Sequence, residues 1–540
     1  MRAFGFRLHK PRLADFRQDG FNQRFPSEEW KNHKLMTQAK DSQTTSDSAE
    51  PTKEQRAGQS GAPAGKPMSD KVTRMGTGSI PKLITEFAIP SIVGMVVNGA
   101  YNVIDSIFLG QAMGEIGLST ATVAMPIMTI FLALAMLVGN GGNALAALRL
   151  GEGRKDEANR SLGNTITLGF IIAVLVFVLA RIPAVLDGLL AISGATPENW
   201  NYAHEFILII STGFIFQVIG MGVNNFIRTA GAPNRALLTM VIGAVACTAF
   251  NYLFVMVLGW GVRGSALATI LGQSCSCVSV LWYFTVTKGV PMRIQRRCLL
   301  LRAATVKMIL SLGLASFLLQ AAAAVLNFVI NNLLNMYGAM SDFGIDGALA
   351  SIGVVQRVSM FIVFPLIGMA VALQPLLGYN YGARIYERVR KTLWWGVGAA
   401  TCIALVEWAL IELFPQPVVD FFGIQDVGLH DFTVFALRVQ VFMMPLVGFQ
   451  IVGSNYFQAT GQPSKAIFLS LTRQMLFLLP LYLFMPQVLP TIATSLTSLD
   501  ALYFAVPIAD GLAVFVTAIF IFFEMKRLSK LEKGLIQPKL

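Results

Sequence analysis

Twelve long runs of predominantly apolar residues constrain this chain more than any other feature of it. A helix of roughly 20 residues crosses the ~30 Å hydrocarbon layer, and backbone inside that layer must satisfy its own hydrogen bonds. The runs therefore predict an all-α integral membrane protein. Helices are expected near 82–110, 117–149, 161–182, 200–226, 235–259 and 263–287. A second set is expected near 303–338, 346–378, 391–413, 432–457, 465–489 and 501–525. Only 13% of the residues are charged, against about 25% in soluble domains. A soluble core this apolar would leave too few polar side chains to cover it.

The net charge of +12 is distributed as a topology signal, which excludes nucleic acid as a partner. The connection after helix six holds Lys288, Arg293, Arg296, Arg297, Arg302 and Lys307 without an acid, and the one after helix eight holds Arg384, Arg388, Arg390 and Lys391 beside Glu387. The alternate connections are acidic, with Asp342, Asp346, Asp420, Asp426 and Asp431. Positive residues stay on the cytoplasmic side. A multi-pass protein of the inner cell membrane, with both termini cytoplasmic, is expected. Residues 1–78 are too polar to offset chain entropy by burial and predict a disordered cytoplasmic tail. They lack the continuous apolar run of a secretory signal, and Met36, Met68 and Met75 offer later starts. Cys247, Cys275, Cys277, Cys298 and Cys402 have no metal or disulfide spacing and read as small apolar core residues.

The chain repeats itself. "NNFIRTAGAPNRA" (224–236) matches "SNYFQATGQPSKA" (454–466) at an offset of 230, and the same offset places Gly117 on Gly347 and "GRKDEANRSL" on "ARIYERVRKT". Two six-helix lobes follow, 79–287 and 308–526, joined by a basic cytoplasmic linker at 288–307 and followed by a cytoplasmic tail at 527–540. An even number of helices gives both lobes one orientation. They are parallel repeats about an axis along the membrane normal, with a central site between them.

"LITEFAIPSIVGMVVNGAYNVIDSIFLG", "QPLLGYNYGA" and the paired "TAGAPNRA" and "ATGQPSKA" loops resemble the multidrug and toxic compound extrusion (MATE) family over roughly 80–530. The resemblance implies two lobes around a V-shaped cavity. It also implies export of small amphipathic, often cationic compounds, driven by inward H+ or Na+ and without a cofactor.

Asn98, Asn102 and Asp105 follow the i, i+4, i+7 spacing of one helix face in an otherwise apolar run. An ionised Asp at mid-bilayer costs roughly 2.5–3.5 kcal/mol on insertion scales, so Asp105 needs a partner, water or a proton. An interfacial cap would need no polar path beneath it. A cation-coupling site is expected, in agreement with the role of the matching family residue. At the 230 offset Asp105 meets Asn335, and helix seven carries Asn327, Asn331 and Asn332 but no carboxylate, so coupling is confined to the N-terminal lobe. Relatives with sodium sites pair this aspartate with Asn-x-x-x-Asp in helix five and a Thr in helix six. Asn251 matches the first and Thr269 the third, but Val255 stands where the second carboxylate belongs. Hard cations prefer several oxygen ligands, which favours H+ over Na+ held at Asp105 and Asn251.

Asp510 in helix twelve and Glu407 in helix nine are further intramembrane acids and, with Arg357, candidate cavity residues: Asp510 reads as a cation-attracting wall of the C-terminal lobe or as a structural ion pair with Arg357, and Glu407 as a cavity or a headgroup-level residue. Asn332 is a candidate cavity residue, as are Met125, Phe131, Met360, Phe361, Phe364 and Met443, for each of which core packing is the stronger reading. Pro126, Pro365 and Pro445 predict helix bends. "GWGVRG" joins two membrane helices rather than a strand and a helix and reads as no dinucleotide site. "NRS" (159–161) is expected in a cytoplasmic loop, and His204 as a solvated loop residue. No Walker A run and no metal or nucleophile set point to an enzyme. The expectation is a monomeric antiporter working by alternating access. The alternative is a lipid-linked oligosaccharide flippase of the same fold superfamily, which would need several basic residues in its cavity.

Overall fold

A computed structural model describes residues 70–341, 344–422, 426–492 and 496–536. Among them the structure is helical, without strands. The first half contains α1 (Asp70–Thr77), α2 (Ile80–Gly151), α3 (Lys155–Leu179), α4 (Pro183–Ile192), α5 (Trp200–Gln217), α6 (Asn224–Thr229), α7 (Pro233–Asn251) and α8 (Gly261–Thr285). After the short α9 (Arg296–Leu299) come α10 (Ala303–Gly338), α11 (Gly344–Gly382), α12 (Tyr386–Leu413), α13 (Pro415–Asp420), α14 (Val427–Val441), α15 (Met444–Ala459), α16 (Pro463–Leu471), α17 (Leu479–Ile492) and α18 (Ser498–Glu532). Among the described residues eleven helical spans are long and apolar enough to cross a membrane, two of them within α2, and the α14–α15 pair, bent by 43°, makes a twelfth.

Two expected helices, 82–110 and 117–149, share the continuously helical α2. A Cβ on Gly117 would lie 2.5 Å from the Leu109 carbonyl oxygen. Eight residues along a straight helix are about 12 Å apart, so the chain doubles back between them. The reversal lies where a loop was expected, but helical hydrogen bonding runs through it. Of the three prolines, Pro445 sits at the α14–α15 bend, whereas Pro126 and Pro365 lie within unbroken helices. Three π-helical turns, Val218–Val223, Tyr252–Val257 and Thr472–Leu478, widen the spans instead.

The lobes meet near the end of the bundle that carries the basic connections. There a Cβ on Gly151 would sit 2.0 Å from Tyr379 O and one on Gly382 2.1 Å from Leu148 O, a pair of contacts that mirror each other across the repeat. Buried Asn143 donates to Gln374 across the same seam at 2.9 Å. Only glycine permits this backbone approach.

Polar composition misplaced two boundaries and hid the packing of a linker. Residues 70–78, assigned to the tail, form α1 and its exit, with Val72 and Met75 buried. The Asn380 amide and Arg388 Nε both donate to Met75 O at 3.1 Å, and Arg388 also bonds Gly78 O. Residues 1–69 lie outside the described ones. The 288–307 linker is sewn to α3: Asn164 donates to Cys298 O and Leu300 O, and Asn159 accepts from the Arg293 amide. Asn159 of "NRS" is thus buried in a helix, not looped. Finally, α18 runs to Glu532 with Leu528 and Leu531 buried, past the expected tail start at 527. Arg388→Ala is expected to release α1 and make residues 70–78 accessible to a protease without unfolding the spans; limited proteolysis of the reconstituted protein checks this.

Candidate functional site

Asp105 lies four residues before the reversal in α2, facing the end of α7 and the start of α8. Asn251, the last residue of α7, donates from Nδ2 to Asp105 Oδ1 at 2.7 Å. Ser265 Oγ, in the first turns of α8, donates to the same oxygen at 2.8 Å. Asn251 is 1% exposed, and its own Oδ1 is buried with no hydrogen-bond partner among the described residues. The π turn Tyr252–Val257 begins immediately after it. Such turns are frequent at functional sites because the extra residue re-aims the side chains on either side.

The third partner was expected at Thr269, but it is Ser265, one turn earlier on the same face. Thr269 is buried beside Cys247, which in turn contacts the Asn251 amide. Helical spacing alone could have found Ser265, since i−4 from any ligand shares its face. Val255, where a second carboxylate was sought, is a buried core residue. Asn102's side chain lies outside the described ones. Among the described residues no cluster of three His, Cys, Asp or Glu could hold a metal ion.

A cavity enters the N-terminal lobe beside this site. Asn98 and Thr269 line it, together with Met95, Met136, Met221 and Met240. Flexible, polarizable thioethers suit a surface that accepts varied apolar bodies. Sequence reasoning missed these methionines because they are scattered along different spans and meet only in the fold. It also missed Arg228, among the described residues the one charged side chain that lines the cavity.

The C-terminal candidates separate. Asp510 is buried, but it pairs with Arg473 rather than Arg357, which is exposed on α11. Arg473 belongs to the π turn Thr472–Leu478, where a straight α-helical count mispredicts facing. Glu407 is half-buried in α12 and its Oε2 has no partner among the described residues. Exposed Asn332 bonds its own helix at Phe328 O. Met125 is exposed, and the Phe364 ring packs against Gly99 of the other lobe. None of these six candidates lines the N-terminal cavity. Cys402 is exposed and Cys275 partly so, unlike the three buried cysteines. His204 lies in α5 near Asp187, not in a loop.

The sequence matches the MatE family over residues 90–253 and again over 315–483, one block in each half. The chain belongs to the MatE family. Multidrug export protein MepA of Staphylococcus haemolyticus is 22% identical over 466 residues, 84% of this MatE chain and 96% of that protein. Its Staphylococcus aureus (strain NCTC 8325 / PS 47) counterpart is 22% identical over 395 residues, 72% and 84% of the respective chains. An outward-facing multidrug resistance MATE family transporter of the MOP superfamily matches with a TM-score of 0.77 at 25% identity, covering 87% of this chain and 100% of that one. The MATE multidrug transporter DinF-BH matches with a TM-score of 0.76 at 34% identity, covering 85% and 98%. This MatE chain is a multi-pass membrane transporter of the multidrug efflux class, with two lobes of six helices, and is not an enzyme.

Proposed function

We propose that this MatE transporter exports small amphipathic, often cationic compounds in exchange for inward H+, with Asp105 as the coupling carboxylate. Support comes above all from the company Asp105 keeps: a carboxylate held by one amide and one hydroxyl, with no metal-holding group of three His, Cys, Asp or Glu among the described residues. A proton needs only that. Sodium needs several oxygens, yet Asn251 turns its NH2 toward Asp105 and leaves its oxygen unbonded. That oxygen is an acceptor for the carboxyl proton once Asp105 takes one.

The cavity beside Asp105 holds the apolar body of the compound against its methionines. Protonation removes the charge that favours a bound cation, so cation release follows proton entry. Export by alternating access requires the Gly151 and Gly382 contacts at the basic end to open in the other half of the cycle. The charge distribution supports cytoplasmic termini in the inner membrane, and the protein acts as a monomer. A lipid-linked oligosaccharide flippase is disfavoured, since among the described residues a single basic one, Arg228, lines the cavity.

Proteoliposomes with imposed gradients test the coupling ion. Ethidium movement is expected with a H+ gradient alone and not with a Na+ gradient alone. Transport driven by Na+ at symmetric pH would overturn the proton assignment.

A further inference from the structure

Arg228 sits near the end of α6, inside "NNFIRTAGAPNRA", and is 1% exposed. Each hydrogen-bond partner it has is neutral. Its Nε donates to Ser91 Oγ at 3.1 Å, and its Nη1 to Asn224 Oδ1 at 2.8 Å and Asn225 Oδ1 at 2.6 Å. Its Nη2 reaches only the Met240 thioether, at 3.3 Å. Among the described residues no carboxylate lies within ion-pair distance of it, whereas the other lobe pairs its buried acids with partly exposed cations: Asp510 with Arg473, and Glu524 with Lys465 and Arg527.

Buried charges are ordinarily paired, because desolvating one alone is costly. A guanidinium presents five N–H donors in a planar fork matched to a carboxylate. Here three of those donors meet good oxygen acceptors and the Nη2 edge meets sulfur, a weak one. Arg228, Met240, Asn224 and Asn225 all line the cavity. The under-used edge of the fork is therefore covered only by a flexible side chain that can swing away.

We propose that this cavity binds a carboxylate against Arg228 Nη2, so that its ligands include amphipathic compounds carrying a carboxylate beside their cationic group. This rests on the cavity being the drug site. The carboxylate would not meet Asp105: Ser91, which touches Arg228, and Asp105 are fourteen residues apart on α2, about 21 Å of helix. The two ends of the lobe thus carry opposite charge, arranged for a molecule that carries both.

A rhodamine with its benzoic acid free and the ethyl ester of the same dye differ in that carboxylate alone. In an apolar pocket the ester, being greasier, should bind better. With the purified full-length protein in detergent, fluorescence anisotropy is expected to show the reverse, the acid binding about tenfold more tightly, as for a charged hydrogen bond. Arg228→Gln is expected to bring the acid-to-ester ratio to one or below. Because Arg228→Gln removes three internal bonds and can fail to fold, Met240→Glu provides a second arm: its tethered carboxylate occupies Nη2 and should erase the same preference. Equal binding of both dyes by the parent, or a preference that survives either substitution, overturns the carboxylate site and leaves the exporter assignment standing. Failure of both dyes to bind removes the cavity as a drug site altogether.

Discussion

Asp105→Asn is expected to reduce gradient-driven ethidium efflux to the passive leak while leaving the protein folded in the membrane. The substitution is nearly isosteric, and the new amide oxygen can still accept from Ser265 Oγ and from Asn251 Nδ2, the two bonds that tie α2 to α7 and α8. Packing should therefore survive. What disappears is the ability to gain and lose a proton. Ethidium uptake into inverted vesicles, where export runs into the lumen, with thermal unfolding of the purified variant as the check on folding, measures both. Ser265→Ala is the companion: it removes one neutral donor, keeps the titratable group and should slow transport without abolishing it. An Asp105→Asn protein that pumps at the parental rate would leave Asp105 with a structural role only.

The spans were legible because hydrophobic length is a direct consequence of the bilayer, and the reversal at Leu109–Gly117 lay where glycines interrupt the run. The repeat was legible because a duplicated chain keeps its spacing. The polar segments were not. Residues 70–78 and 288–302 are too polar to predict burial, yet backbone carbonyls recruit them: Met75 O, Gly78 O, Cys298 O and Leu300 O are each bonded by an Asn or Arg from a distant span. Backbone bonding leaves no pattern in side-chain types.

The candidate site was legible to one helical turn. Asp105 and Asn251 do meet, since both stand on polar faces of apolar helices. Ser265 was displaced by Thr269 because a hydroxyl at either position fits the same stripe. Arg473 and Arg228 escaped for a different reason. Arg228 stands near the end of its span, where an arginine reads as a headgroup anchor. Only the tertiary fold shows that it is buried at the cavity and that Arg473, ten residues into its own span, turns inward through a π-helical turn.

That inward turn carries the other large expected effect. Asp510 is 2% exposed and Arg473 is its charged partner, with Tyr482 packed into the same core. Removing one member of a buried pair leaves the other charged, desolvated and alone, which costs about 3–5 kcal/mol. Asp510→Leu and Arg473→Met singly should each destabilise the C-terminal lobe by that amount in chemical unfolding from detergent. Replacing both should restore stability to within about 1–2 kcal/mol of the parent, because two well-packed apolar side chains need no partner. The double variant also separates two roles for Asp510. If the pair only holds α18 to the π turn, the double variant regains efflux together with stability. If Asp510 draws cationic compounds into the C-terminal lobe, stability returns and efflux does not. Near-additive costs in the cycle, with no coupling above about 0.5 kcal/mol, would mean that the two side chains do not act as a pair.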